Sequence, residues 1–278
     1  MAVLFQFLSG LNNEQCIWFD YKKGQWQWDV EKIKSQKYTD NVVELMKDII
    51  TQLAPQSQEI LQRASCYGTG FSLQQVMELS DLSRHEVEHY LWPCLKHGLI
   101  IPGQSSPQSQ AWHQMQYEFG HDRIQETCYE MLSSSEKKEV HYIIAQNMHS
   151  IIDAGGDISL FNMLNHYSHC LEFIQQEQQK ERLITLFIQA GKESKNSAAY
   201  KVAFRYLSQA LFLMEDSYWK THRTIALALH QHLCESAFLS GDWEGLERYS
   251  TTYINYSDDL IQAVPIHEMR ILALISQD

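Results

Sequence analysis

The chain has 278 residues, 44% of them hydrophobic and 20% charged, with a formal net charge of −12. This length and apolar content are enough for about two cores. The acidic balance argues against a general nucleic-acid or membrane-surface binder, which needs clustered Lys and Arg.

Val3 to Leu11 is an apolar, helix-like run, as the end of something longer would be. Cys16 to Asp20 and Gln25 to Asp29 flank Lys22-Lys23-Gly24, so a small hairpin with alternating aromatics is predicted, and Asp29 is placed to cap a short helix after it. After Thr39-Asp40, the residues Val42, Val43, Leu45, Met46, Ile49, Ile50 and Leu53 form a broad apolar stripe of a buried helix, which Pro55 is expected to stop. Ser57 to Tyr67 reads as a further helix, punctuated by Gly68 and Gly70.

Phe71 to His121 reads as two short helices, a tight turn and a two-stranded wing. Ser72 is placed to cap a helix carrying Leu73, Val76, Met77 and Leu79 on one face. Ser83 followed by Glu86 is a capping-box pattern that opens a second helix, with Val87, Tyr90, Leu91, Cys94 and Leu95 at helical spacing, and Gly98 ends it. Leu99 to Pro102 and Tyr117 to Phe119 are the expected strands, and the polar run Gly103 to Gln116 is the wing tip. This is a winged helix-turn-helix pattern. Inside it, His85-Glu86-Val87-Glu88-His89 spells H-E-x-x-H, whose two histidines one turn apart can hold zinc with the glutamate as general base. A catalytic zinc needs a third protein ligand, and no placed candidate follows.

From Gly120-His121-Asp122-Arg123 onward no strand signal occurs, and antiparallel helices are expected, with loops at Ser133 to Ser135, Asp153 to Asp157, Gln175 to Gln179 and Glu215 to Ser217. His121 is expected to fix the wing to the next helix by hydrogen bonds, with His121, Asp122 and Arg123 as a structural or relay set. Gly191, Ala203, Leu207 and Ala210 stand at the offsets of the tetratricopeptide repeat, where a larger side chain forces paired helices apart. Ser240-Gly241-Asp242-Trp243 reads as a second junction of that kind, in a degenerate register. His166, His169 and Cys170, and likewise His230, His232 and Cys234, have metal-compatible spacing, but core or surface helix residues are the expected reading. The cysteines, Cys16, Cys66, Cys94, Cys128, Cys170 and Cys234, occur singly without C-x-x-C, as reduced thiols filling core space would. The first residues lack a basic leader and a cleavage site, and no stretch is apolar for the roughly 18 residues of a membrane span, so a cytoplasmic protein is expected.

Trp26-Gln27-Trp28-Asp29, Thr39-Asp40-Asn41-Val42-Val43-Glu44-Leu45-Met46, Leu91-Trp92-Pro93-Cys94-Leu95-Lys96-His97-Gly98-Leu99-Ile100 and Tyr117 to Glu126 occur in that order. Together with Gly191-Lys192-Glu193-Ser194 and Ser240-Gly241-Asp242, they resemble the middle region of large bacterial signalling proteins that join a serine/threonine kinase, an AAA-type ATPase of the STAND class and a sensor histidine kinase. The resemblance implies a regulatory segment in which a winged helix serves the nucleotide-binding module and helical repeats relay a signal. G-x-x-x-x-G-K-[ST], H-R-D and D-F-G are all absent. No cofactor is therefore expected in this segment, ATP and Mg belonging to the ATPase and kinase modules, and no catalytic residue is assigned.

The expected fold is mainly α, in three parts: residues 1–54, which the resemblance implies are the C-terminal remnant of an ATPase helical or lid region with a small hairpin; 55–125, a winged helix; and 126–278, tetratricopeptide-like antiparallel helical hairpins forming an α-solenoid. Three readings stand: a noncatalytic signalling segment with protein partners, a zinc metallopeptidase using His85, Glu86 and His89, and a winged-helix DNA-binding regulator. The first expects no nucleic-acid or membrane partner and leaves the oligomeric state open.

Overall fold

In the computed structural model, which describes residues 11–12, 15–35, 46–103, 115–257 and 259–276, the protein is mainly helical with two small sheets. The run Val3 to Gly10, the stripe residues Val42, Val43 and Leu45, and most of the expected wing tip lie outside the described residues. The chain divides into two compact units, the first ending at Ile143 and the second starting at Ile144.

Unit one opens with the hairpin β1 (Ile17–Asp20) and β2 (Gln25–Trp28), paired antiparallel from Ile17↔Trp28 to Asp20↔Gln25. Asp20 closes the turn by accepting from Lys22 N, and Gly24 takes the left-handed φ of 65° that ends it. Asp29 then accepts from Glu31 N and Lys32 N, capping α1 (Val30–Ser35) as predicted.

Pro55 lies past the end of the preceding helical run, which stops at Thr51, and has a second role as well. It is the first residue of α2 (Pro55–Ala64), where a missing N–H costs nothing and the fixed φ suits the helix, and a 3-10 turn, Ser65–Tyr67, continues α2. The helix expected from Ser57 to Tyr67 thus starts two residues earlier and reaches Tyr67 with its last turn as 3-10. The sheet is also larger than the expected two-stranded wing. β3 (Gly70–Ser72) precedes α3 (Leu73–Glu78) and α4 (Arg84–Lys96), after which β4 (Ile100–Pro102) and β5 (Gln116–Phe119) complete an antiparallel sheet of order β3-β5-β4. Pro102 is tolerated because β4 is an edge strand. The core beneath the sheet joins Ile60 and Leu61 of α2, Val76 of α3, Val87, Leu91 and Cys94 of α4, and Ile100 and Phe119 of the strands. α5 (Asp122–Met131) adds Ile124 and Cys128.

The loop expected at Ser133 to Ser135 is confined to Leu132-Ser133, with Ser134 and Ser135 already helical. Ser133 Oγ accepts from Glu136 N at 3.2 Å and Glu136 reaches back to Ser133 N at 2.8 Å, a capping box that starts α6 (Ser134–Asp153). The part of α6 up to Ile143 belongs to unit one.

Unit two contains α7 (Leu160–Tyr167), α8 (Glu177–Asn196), α9 (Tyr200–Leu213), the short α10 (Tyr218–Thr221), α11 (Arg223–Ser240), α12 (Trp243–Tyr256) and α13 (Leu260–Ile275). α8 begins at Glu177, inside the Gln-rich stretch expected to be a loop. α8 packs on α9 and α11 on α12, α11 also touches both α8 and α9, and α13 touches both α11 and α12. Each helical pair therefore lies against the next.

Candidate functional site

The four residues Ser83 to Glu86 explain how α4 is positioned. The Glu86 carboxylate accepts from Ser83 N at 2.8 Å and from Ser83 Oγ at 2.6 Å, and these bonds hold its carboxyl below the usual range. The carboxylate that the H-E-x-x-H reading makes a general base is thus engaged in capping its own helix. His85 and His89 are exposed on the same face, and His89 sets its ring edge-to-face with Tyr90. No group of three His, Cys, Asp or Glu side chains among the described residues is placed to hold a metal.

The exposed side of α4 carries Arg84, His85, His89, Trp92 and Lys96, with Trp92 68% exposed. Arg84 Nε is bound to Glu88 at 2.8 Å, so one of the two fixed positive charges on this face is already neutralised by an acid one turn away. At the far end Gly98, with φ of 66°, ends the helix as predicted, and Leu99 N returns to Cys94 O at 3.0 Å.

Gly98 meets a second glycine. A Cβ placed on Gly120 would lie 2.4 Å from Gly98 O, and Gly120 N donates to Leu99 O at 2.9 Å. The two longest resembling stretches, Leu91 to Ile100 and Tyr117 to Glu126, are therefore brought together through backbone that no side chain could separate. Directly after Gly120, His121 stands between β5 and α5. Its Nδ1 accepts from Arg123 N at 3.1 Å, making it the N-cap of α5, while Asp122 lies in the acidic first turn and Arg123 pairs with Glu126 at 2.9 Å. All three side chains are exposed. The contact that anchors α5 is one the sequence did not single out: Gln125 Nε2 donates to Ser65 O at 2.7 Å.

In unit two the small residues sit at the closest helix contact. A Cβ on Gly191 would fall 2.7 Å from Leu207 Cγ, and Ala203 and Ala210 are fully buried opposite α8. At the second junction Gly241 adopts φ of 73° to end α11, and Asp242 accepts from Gly245 N at 3.0 Å to start α12. The first junction achieves the same reversal with Ala198, a non-glycine held at φ of 58°. Lys195 of α8 and His232 of α11 both bond Glu235; burial opposes the charge of that carboxyl, yet these partners hold it down at about 2.

The two histidine and cysteine clusters separate into packing roles. His166 and His230 are buried, and the His230 Nδ1–H group donates to Ala226 O at 2.9 Å. Burial pushes the thiols of Cys170 and Cys234 up to about 12, which leaves them protonated and unreactive. All six cysteines are free and buried, as the sequence reading expects. No described helix is long and apolar enough to cross a membrane.

Comparison with known proteins gives one informative relationship. The chain is 25% identical over 295 aligned positions to hybrid signal transduction histidine kinase G of Dictyostelium discoideum, an alignment covering 87% of this chain and 9% of that protein. The chain thus spans under a tenth of the length of that relative. No protein-family model matches the chain, and no solved structure matches it.

Proposed function

We infer that the chain is a noncatalytic regulatory and protein-interaction segment of a multidomain signalling ATPase and kinase of the STAND type. In this reading α2 to β5 form a winged helix-turn-helix, with the element order helix, strand, two helices and a two-stranded wing. Helices α8 to α13 form tetratricopeptide-like hairpins that relay movement or partner binding between nucleotide-binding and kinase modules. The observation that carries the proposal is the similarity along nearly all of this chain to a small part of a histidine kinase. The pairwise stacking of α8 to α13 supports the relay role, because such hairpins stabilise one another and present extended surfaces to partners. The winged unit acts through protein contacts rather than duplex DNA, since Arg84 is spent on Glu88 and Lys96 is left as the main fixed cation of the exposed α4 face. ATP and Mg are bound by the partner modules.

The test is a chimera. Replacing the matched stretch of the Dictyostelium relative with this chain, or deleting it, should change how kinase output responds to stimulus while leaving the isolated kinase module active. Output that is indifferent to both changes refutes the relay role, and saturable MgATP binding or phosphotransfer by the purified chain refutes the noncatalytic one.

A further inference from the structure

Unit one contains a cavity of about 380 Å³ bounded by α2, the end of α3, the turn before α4, and Ile143. That volume lies at the low end of ligand sites, about 300–1,000 Å³, and suits a fragment or one long side chain rather than an extended molecule. Its floor is apolar, from Ile60, Val76, Leu79 and Ile143. Its charged lining is three carboxylates, Glu59, Glu78 and Asp81, and one guanidinium, Arg63.

Arg63 is not available to an incoming anion. One of its terminal nitrogens donates to Leu79 O at 2.6 Å and the other pairs with Glu59 at 2.8 Å. The Ser80 hydroxyl is likewise committed to Val76 O at 2.9 Å. Glu78 accepts one bond, from Gln74 at 2.9 Å, and Asp81 makes no ion pair among the described residues. With Glu59 paired to Arg63, the lining combines an apolar body site with two carboxylates, Glu78 and Asp81, that have no ion-pair partner among the described residues, a combination that disfavours anions.

The geometry points to a binding site for a ligand with an apolar body and a cationic end, an alkyl- or arylammonium or a guanidinium, with Asp81 as the principal anchor. The same chemistry is offered by a free organic amine and by a Lys or Arg side chain of a polypeptide. The site stands on unit one alone and does not depend on the signalling proposal.

Backbone amide NMR on the full chain tests it with two pairs of probes: tryptamine against its hydroxyl twin tryptophol, and the capped tripeptide Leu-Lys-Leu against its acetyl-lysine form. The charged member of at least one pair should give saturable shifts at Leu79, Asp81, Leu82 and Ile143, about five-fold tighter than its neutral twin, the factor a partly exposed ion pair supplies. Asp81→Asn should erase that difference while leaving the melting temperature and the rest of the spectrum in place. Binding by tryptamine alone assigns a free amine, binding by the peptide alone or by both assigns a basic side chain. The inference is overturned if neither charged probe saturates at these residues, if the neutral twins bind equally well, or if Asp81→Asn preserves the discrimination.

Discussion

Gly191→Ala separates two opposed effects in the helical unit. Gly191 lies in the interior of α8, and on an exposed helix the change to Ala stabilises by about 1 kcal/mol through propensity alone. Here the new methyl carbon would stand 2.7 Å from Leu207 Cγ, 2.8 Å from Leu207 Cδ2 and 3.4 Å from Ala203 O. Leu207 is only 1% exposed, so it has no solvent to swing into, and α8 and α9 must move apart instead. Overpacking of this kind costs about 1–3 kcal/mol, which exceeds the propensity gain in most of its range and leaves a net loss of about 1 kcal/mol. For a domain of this size that lowers the melting temperature by roughly 2–4 °C, readable by circular dichroism. A double-mutant cycle gives the sharper reading. Leu207→Ala alone should cost about 2–5 kcal/mol as a cavity, and less in the Gly191→Ala background, where the added methyl occupies part of the vacated space. A rise in melting temperature on Gly191→Ala, or strict additivity of the two changes, refutes the close-contact reasoning.

Gly120→Ala should be more severe, about 2–4 kcal/mol by urea midpoint, because the clash at 2.4 Å is with the Gly98 carbonyl and no rotamer relieves it. Ala198→Gly should do the reverse and stabilise unit two by about 0.5–1 kcal/mol, since Ala198 is exposed and held at φ of 58°; an unchanged or lower urea midpoint would contradict this. His166 is buried, and desolvation lowers its pKa to about 4 from an ordinary 6.5, so the unfolded chain takes up the proton first. Stability from this group is complete above pH 6.5 and lost as pH falls toward 4, by about 2–3 kcal/mol; burial pushes His149, His169 and His230 the same way, and His166→Gln should flatten the slope of urea stability against pH in that window. The full chain should bind duplex DNA no more tightly than about 1 μM at near-physiological salt; tighter binding with a steep salt dependence would restore the DNA-binding reading of α4.

Local chemistry explains which parts of the fold could be read from the chain. The Ser72 and Ser83 caps, the Gly98 stop and the Gly241-Asp242 junction were legible because each depends on residues within one helical turn of itself. β3 was not legible: its three residues run into the Ser72 cap, and only pairing with β5, far along the chain, makes them a strand. Pro55 both follows one helix and starts the next, and only the second role, which rests on the next turn burying Ser57, Ile60 and Leu61, was not legible. Serine is equally ambiguous, and at Ser133 it was Glu136 that distinguished a cap from a loop. Gln209 is half-buried and bonded to Ser168 at 2.9 Å, a tie between α9 and the end of α7 that helical periodicity does not register.

The same division bears on function. Gly98 and Gly120 lie in the stretches that resemble known signalling proteins, and the structure gives both a backbone duty: one ends a helix, the other permits a close crossing. Gly191 and Gly241 do the same in the second unit, and His121 caps a helix. A likeness carried by such positions transmits architecture, because they are the ones at which most other side chains break the fold. It says little about which partner is bound, since selectivity is set by side chains free to vary without unfolding the protein, such as Trp92 on α4 and Asp81 beside the cavity. Substitutions at those two exposed positions should therefore alter binding with little effect on stability, and substitutions at the glycines should do the opposite. A variant set that inverted this pattern, with Trp92→Ala unfolding the chain and Gly120→Ala leaving its melting temperature unchanged, would mean that architecture and recognition are not divided between these residues.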